Sequence, residues 1–176
     1  MPAQEAERAR RTESALTQVK RKILSKRKLL ILREGWKKHH QSVVFTNGVF
    51  DILHAGHVQL LERAKSLGDV LILGLNHDES VRSLHKGPGR PLNSFPDRAR
   101  VVSALSSVDY VIGFKESTPE KLIRLLRPDI LVKGADYKKN QIAGGAFAGK
   151  IARIPLKKGY STTALVKKIQ GLAGAS

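Results

Sequence analysis

From residue 43 onward, short apolar runs alternate with stretches of helical period. The runs at 43–46, 70–75, 108–114, 130–133 and 151–156 are predominantly apolar rather than strictly alternating, as expected of strands buried on both faces. Between them, residues 57–67, 78–84, 96–105 and 119–126 place apolar side chains at helical spacing, and a last helix is predicted over about 163–170. Four β-α-β crossovers in succession predict an α/β fold: a doubly wound, Rossmann-like, parallel five-stranded sheet with flanking helices. Ligands of such sheets bind beyond the carboxyl ends of the strands, so the residues at those ends carry the functional question.

Ahead of this core, Leu16, Val19, Ile23, Leu24, Leu29, Leu30 and Leu32 recur near helical spacing among lysines and arginines. They predict a basic N-terminal helix over about 14–33, stopped near Gly35, with Trp36 packing it onto the body. Residues 1–13 are polar and charged and read as a fraying arm. The expected organisation is therefore that arm followed by one domain, 14–176, with a leading helical segment at 14–40 and the α/β core at 41–176.

Composition narrows the chemistry. The chain has 176 residues and no cysteine, which excludes disulfides, thiolate metal sites and cysteine nucleophiles and suits a reducing, cytoplasmic setting. No apolar run approaches the about 18–20 residues of a membrane span, and the N-terminus lacks the apolar core of a signal peptide, so no membrane partner is expected. Net charge is +17, and residues 1–40 contribute about half of it, with 12 Lys/Arg against 4 Asp/Glu. Such a run ordinarily solvates a helix face; a nucleic-acid partner is not expected, and the excess serves to attract phosphorylated substrates.

The most informative segment is His54-Ala55-Gly56-His57, between the first strand and the helix that follows it. A helix N-terminus already offers unpaired N–H groups and a positive dipole end to an anion. Two imidazoles added there can donate to negative charge that develops on a phosphate during reaction. Other strand ends add Thr46-Asn47-Gly48, then Asn76 and Asp78, then Lys133-Gly134-Ala135-Asp136, and finally Ser161-Thr162-Thr163 opening the last helix. A basic, glycine-rich loop supplies Lys86 and Arg90, and Arg98 follows it. With no Ser–His–Asp ordering and no ligand cluster for a structural metal, the set suits phosphoryl or nucleotidyl transfer, where catalysis is mostly positioning and charge stabilisation. Gly144 to Lys150 mimics a phosphate-binding P-loop, but Ile151 stands where Ser or Thr should hold magnesium, so it reads as a plain loop.

T-N-G-x-F-D-x-L-H-x-G-H, followed in order by G-D-x-L-I-x-G-x-N-x-D, R-P, V-K-G-x-D-Y and G-x-S-T-T, resembles the nucleotidyltransferases of the cytidylyltransferase-like superfamily. The resemblance runs over about residues 20–170 and is strongest to the D-glycero-β-D-manno-heptose 1-phosphate adenylyltransferase branch, in a stand-alone form without a kinase domain. It implies catalytic roles for His54 and His57. Nucleotide-binding roles fall on Thr46, Asn47, Gly48, Phe50, Gly56, Lys133, Asp136, Ser161, Thr162 and Thr163. Acceptor-binding roles fall on Asn76, Asp78, Lys86, Arg90 and Arg98. Val49, Ala135 and His77 depart from the usual residues of these motifs, and none is one of the two histidines. The implied partners are ATP, with Mg2+ carried on the nucleotide, and a sugar 1-phosphate; a homodimer is a compatible assembly.

The same scaffold serves cytidylyltransferases acting on glycerol 3-phosphate. That branch usually has an arginine three residues before the glycine of G-x-S-T-T, where this chain has Leu156. The expected reaction is therefore AMP transfer from ATP to a sugar 1-phosphate, giving an ADP-sugar and pyrophosphate. The alternatives are a cytidylyltransferase for an alcohol phosphate and, from another class, a basic RNA-binding module.

Overall fold

Val43, Val44 and Phe45 are all fully buried, and so are Leu71, Ile72 and Leu73 on the neighbouring strand. Both strands are therefore covered on both faces, and the fold follows from how that cover is arranged. The computed structural model describes residues 19–85, 87, 89–135, 142–155 and 159–173. Residues 1–13 and the site candidates Lys86, Asp136 and Leu156 lie outside the described residues.

In chain order the elements are β1 (Ile23–Leu24), α1 (Lys26–Lys38), β2 (Val43–Gly48), α2 (Ala55–Lys65), β3 (Val70–Asn76) and α3 (Asp78–Ser83). They continue with α4 (Phe95–Ser103), β4 (Tyr110–Phe114), α5 (Glu120–Leu126), β5 (Ile130–Gly134), β6 (Lys150–Ile154) and α6 (Thr162–Ala173). The strands form one parallel sheet in the order β1-β4-β3-β2-β5-β6. The order of strand addition reverses at β2: β3 and β4 build outward on one side, and β5 and β6 on the other. The carboxyl ends of β2 and β5 thus flank the switch point, where open α/β sheets hold their ligands.

Alternate side chains point to opposite faces. Phe45 and Ile72 pack beneath α1 and α5, with Leu29, Trp36, Leu122, Ile123 and Leu126. Val44, Leu71 and Leu73 pack beneath α2 and α4, with Leu61, Ala64 and Val102. Among the described residues no helix is long and apolar enough to cross a membrane.

The α/β class and the parallel, doubly wound sheet agree with the sequence reading, but the strand count does not. The sheet has six strands, not five. The predicted continuous helix over 14–33 is interrupted: residues 19–22 are helical, then Ile23 and Leu24 pair with Val111 and Ile112 as an edge strand. Ser25 restarts the chain as the N-cap of α1, its hydroxyl accepting from the Lys28 N–H at 3.3 Å. Nor does Gly35 stop that helix, which runs on to Lys38; Trp36 is buried as expected. Gly145–Phe147 is a 3-10 turn that leads into β6 rather than a helix, so the P-loop resemblance has no structural counterpart.

Candidate active site

The turn after β2 is built by close approach. A Cβ on Gly48 would lie 2.7 Å from the Phe50 ring, and Phe50 itself takes a left-handed φ of 48°. This brings the chain round to His54, the extended N-cap residue of α2, whose imidazole accepts from the His57 backbone N–H at 3.3 Å. The accepting nitrogen is Nδ1, so in the neutral ring the proton sits on Nε2, which is left as a donor. Burial pushes the His54 pKa below the ordinary imidazole value, favouring that neutral form. The two rings stack with centroids 3.7 Å apart, and Phe50 packs on His57 at 4.6 Å. Gly56 admits this geometry, because a Cβ there would meet Tyr160 Cβ at 3.0 Å and His54 Nδ1 at 3.1 Å.

Lys133 projects from the end of β5. It is 8% exposed, its Nζ donates to the Asn47 side-chain oxygen, and burial pulls its pKa down to about 8. Thr46, also buried, donates to the Val132 carbonyl and locks β2 to β5 at this point. From the far edge of the sheet, Ser161 caps α6 by accepting from the Ala164 N–H at 3.0 Å. The α6 N-terminus therefore faces the same space as the α2 N-terminus, a pairing suited to a polyanion.

These residues enclose one cavity of about 320 Å³. Of the residues singled out from sequence, it gathers Thr46, Asn47, Gly48, Phe50, His54, Gly56, His57, Arg90, Lys133, Ser161, Thr162 and Thr163. Asn76, Asp78 and Arg98 are not on its lining. Asn76 is buried and donates to Ser80 Oγ at 2.8 Å. Arg98 is 1% exposed; its guanidinium donates to the Val49 and Asn93 carbonyls and to the Asp78 carboxylate at 2.6 Å. It staples two loops and the start of α3 together from inside the protein. His77, one of the departures in the motifs, stacks on Phe95 at 3.8 Å and likewise does not line the cavity.

Among the lining residues not singled out from sequence, two bear on the chemistry of the site. Tyr160 stands 6.4 Å from His54, ring to ring, and its Cβ closes over Gly56. Asp51 is buried at the cavity wall and bonds the Arg90 guanidinium at 2.6 Å. Burial alone would raise its pKa, but the Asn93 and Leu92 amides and Arg90 together hold it below the usual carboxylate value. The F-D pair inside the first motif was its available signal.

The family model for the cytidylyltransferase-like family matches residues 45–168, spanning both histidines and the α6 N-terminus. The chain belongs to that family. It is 51% identical over 150 residues to the bifunctional protein HldE of Wolinella succinogenes, covering 85% of this chain and 31% of that protein. The bifunctional protein HldE of Helicobacter pylori strain Shi470 is 52% identical over 155 residues, covering 88% and 33%. The chain thus spans about a third of the length of these curated relatives. Among solved structures, the lipopolysaccharide core biosynthesis protein of Thermoplasma volcanium superposes with a TM-score of 0.58 at 31% identity, over 67% of this chain and 99% of that one. A pantoate-beta-alanine ligase of Francisella tularensis shares the fold, with a TM-score of 0.56 at 19% identity, over 77% and 67%.

Proposed function

We propose that this family member is a nucleotidyltransferase that moves AMP from ATP to a sugar 1-phosphate, the sugar being D-glycero-β-D-manno-heptose 1-phosphate. The observation that carries the reading is the meeting of two helix N-termini, two stacked imidazoles and Lys133 in one cavity. In the reaction, an oxygen of the sugar phosphate attacks the α-phosphorus of ATP in line. The bond from that phosphorus to the bridging oxygen breaks, and pyrophosphate leaves with the electron pair. His54 and His57 donate to the charge that builds on the phosphoryl oxygens. Ser161, Thr162 and Thr163 hold the departing phosphates at the α6 N-terminus, and Lys133 and Asp136 bind toward the base and ribose.

Thr46, Asn47, Gly48, Phe50 and Gly56 shape the nucleotide wall. On the opposite side Arg90 meets the acceptor, a role also assigned to Lys86 from its sequence motif, and Asn76, Asp78 and Arg98 support that wall from behind. Asp51 is the one carboxylate on the cavity lining among the described residues, and Arg90 and two amides already engage it. That donor set suits magnesium carried on the triphosphate, with water and phosphate oxygens as its ligands, rather than an ion caged by protein carboxylates. Magnesium so bound would supply neutralisation of the triphosphate charge.

The likeness to HldE proteins over 85–88% of the chain supports the heptose acceptor, as does the solved relative described as a lipopolysaccharide core biosynthesis protein. A pyrophosphate-release assay pairing ATP and CTP with heptose 1-phosphate and glycerol 3-phosphate tests the proposal. The expected result is ATP preferred over CTP by at least about tenfold in kcat/KM, or ~1.4 kcal/mol of discrimination, with the sugar phosphate as acceptor. Productive use of CTP with glycerol 3-phosphate would assign the chain to the cytidylyltransferase branch instead.

A further inference from the structure

Asp51 makes more bonds than a turn residue needs. Its carboxylate accepts from Arg90 at 2.6 Å, from the Leu92 N–H at 2.8 Å and from the Asn93 N–H at 3.0 Å. Its own carbonyl accepts from the Asn93 side chain at 2.6 Å. The Asp51 and Arg90 side chains are 4% and 11% exposed, so the pair is desolvated. A buried ion pair is a poor source of net stability, because loss of hydration offsets most of the attraction. Its value here lies in where it holds the arginine.

Arg90 follows Gly89, and Gly87 and Gly89 both take positive φ, 115° and 70°, with no atom within 4 Å of where a Cβ would stand on either. Just past these glycines, Asp51 holds Arg90, Leu92 and Asn93 from the same turn that delivers Phe50 and His54. One guanidinium nitrogen bonds Asp51, while Arg90 also lines the cavity and borders a more open basic groove with Arg82 and His85. An arginine presents five N–H donors in a planar fork, so this one can bond Asp51 and still offer donors to a phosphate.

Topology says which phosphate. The α6 N-terminus enters the cavity from the β5–β6 side of β2, whereas Arg90 enters from the connection between α3 and α4, on the β3–β4 side. With the triphosphate at the paired helix N-termini, Arg90 lies on the wall left for the other substrate.

We propose that Asp51 is a positioning residue that fixes the Arg90 guanidinium on the acceptor side of the cavity, where it binds the phosphate of the incoming sugar phosphate. The assignment rests on the nucleotidyltransferase reading of the site. Asp51→Asn keeps the shape and removes the charge that holds Arg90. Its acceptor KM should rise about tenfold, one charge-assisted contact, while kcat and the ATP KM stay within about twofold. Arg90→Gln should raise the acceptor KM as much, and the double variant should be no worse than Arg90→Gln alone.

An unchanged acceptor KM in Asp51→Asn, or equal losses in the ATP KM and the acceptor KM, would overturn the assignment. If Asp51→Asn does not fold, Arg90→Gln decides, because an unaltered acceptor KM in that variant also overturns it. Should the wild-type chain release no pyrophosphate with any sugar 1-phosphate, the functional reading fails while the clamp is still measurable. Calorimetric titration with inorganic phosphate should then show about tenfold weaker binding in Asp51→Asn, and equal affinities reject the clamp.

Discussion

His54 and His57 lie face to face at the start of α2, their ring planes 15° apart and centroids 3.7 Å apart. Two imidazolium ions at that separation would repel strongly, so the pair cannot both be charged without cost. The structure favours a neutral His54: its Nδ1 accepts a backbone N–H, and burial lowers its pKa. In the proposed reaction such a pair would meet the triphosphate with hydrogen-bond donors already fixed in place, and charge would develop on the phosphate rather than on the protein.

Removing either ring should accordingly be felt in the transition state more than in binding. His54→Ala and His57→Ala should each lower kcat by roughly 10²–10³-fold, as loss of one preorganised donor does, with a smaller change in the ATP KM. Steady-state pyrophosphate release measures both. Near-wild-type turnover in His57→Ala would remove the histidines from the mechanism.

The pH profile follows from Lys133 and His54. Lys133 titrates at about 8 in the folded protein against an ordinary value of 10.5, so its ammonium form is lost as pH rises through about 8. The kcat/KM for ATP should fall over that interval, since the free enzyme's titration governs it, and Lys133→Met should abolish this limb. Because His54 is shifted down, the acid limb should lie below the ordinary histidine value of 6.5. Stability has its own sign. Below about 8 the buried ammonium opposes folding in full, and that penalty is relieved as pH climbs from about 8 toward 10.5, so Lys133→Met should stabilise the nucleotide-free protein more at pH 7 than at pH 10.

What the sequence reveals and what it hides divide along one physical line. The β2, β3 and β5 strands are legible because burial on both faces makes their runs predominantly apolar, and His54 to His57 is legible because its pattern is local to one helix start. The edge strand Ile23–Leu24 is hidden, since two residues inside a leucine-rich helical period become a strand only by pairing with β4, some 88 residues on. Arg98 shows the same limit. Its charge suggests a substrate contact, and only the assembled fold brings the Val49 and Asn93 carbonyls and Asp78 around it. Asp51 has no local cue to its partner, which lies 39 residues away.

Gly56 supplies a steric test of the stacked pair. An added Cβ would sit 3.0 Å from Tyr160 Cβ and 3.1 Å from His54 Nδ1, tighter than ordinary contact. Gly56→Ala should therefore shift the His54 ring and cut kcat by about tenfold or more, because catalytic donors tolerate little displacement. Thermal unfolding should record a cost of no more than about 1–3 kcal/mol, the usual range for modest overpacking. A variant with full activity would show that the stack is not needed in its present geometry.

Two N-terminal truncations separate the polar arm from the structural edge. Residues 1–13 lack the apolar side chains that would anchor them, so their deletion should leave Tm and turnover nearly unchanged. Deleting 1–24 should not be neutral. It removes Lys22, whose Nζ donates to the Leu105 and Val108 carbonyls at 3.1 and 2.8 Å, and it removes β1, leaving β4 as an uncovered edge. Leu24 is 6% exposed, so its burial alone is worth about 2 kcal/mol. The lost backbone and lysine hydrogen bonds add about 1 kcal/mol or more. A loss of roughly 3 kcal/mol corresponds to a fall in Tm of about 6–12 °C for a domain of this size. Scanning calorimetry on the two truncations, with light scattering to detect association through β4, checks both expectations. An unchanged Tm after removal of 1–24 would mean that β1 contributes nothing to the sheet it extends.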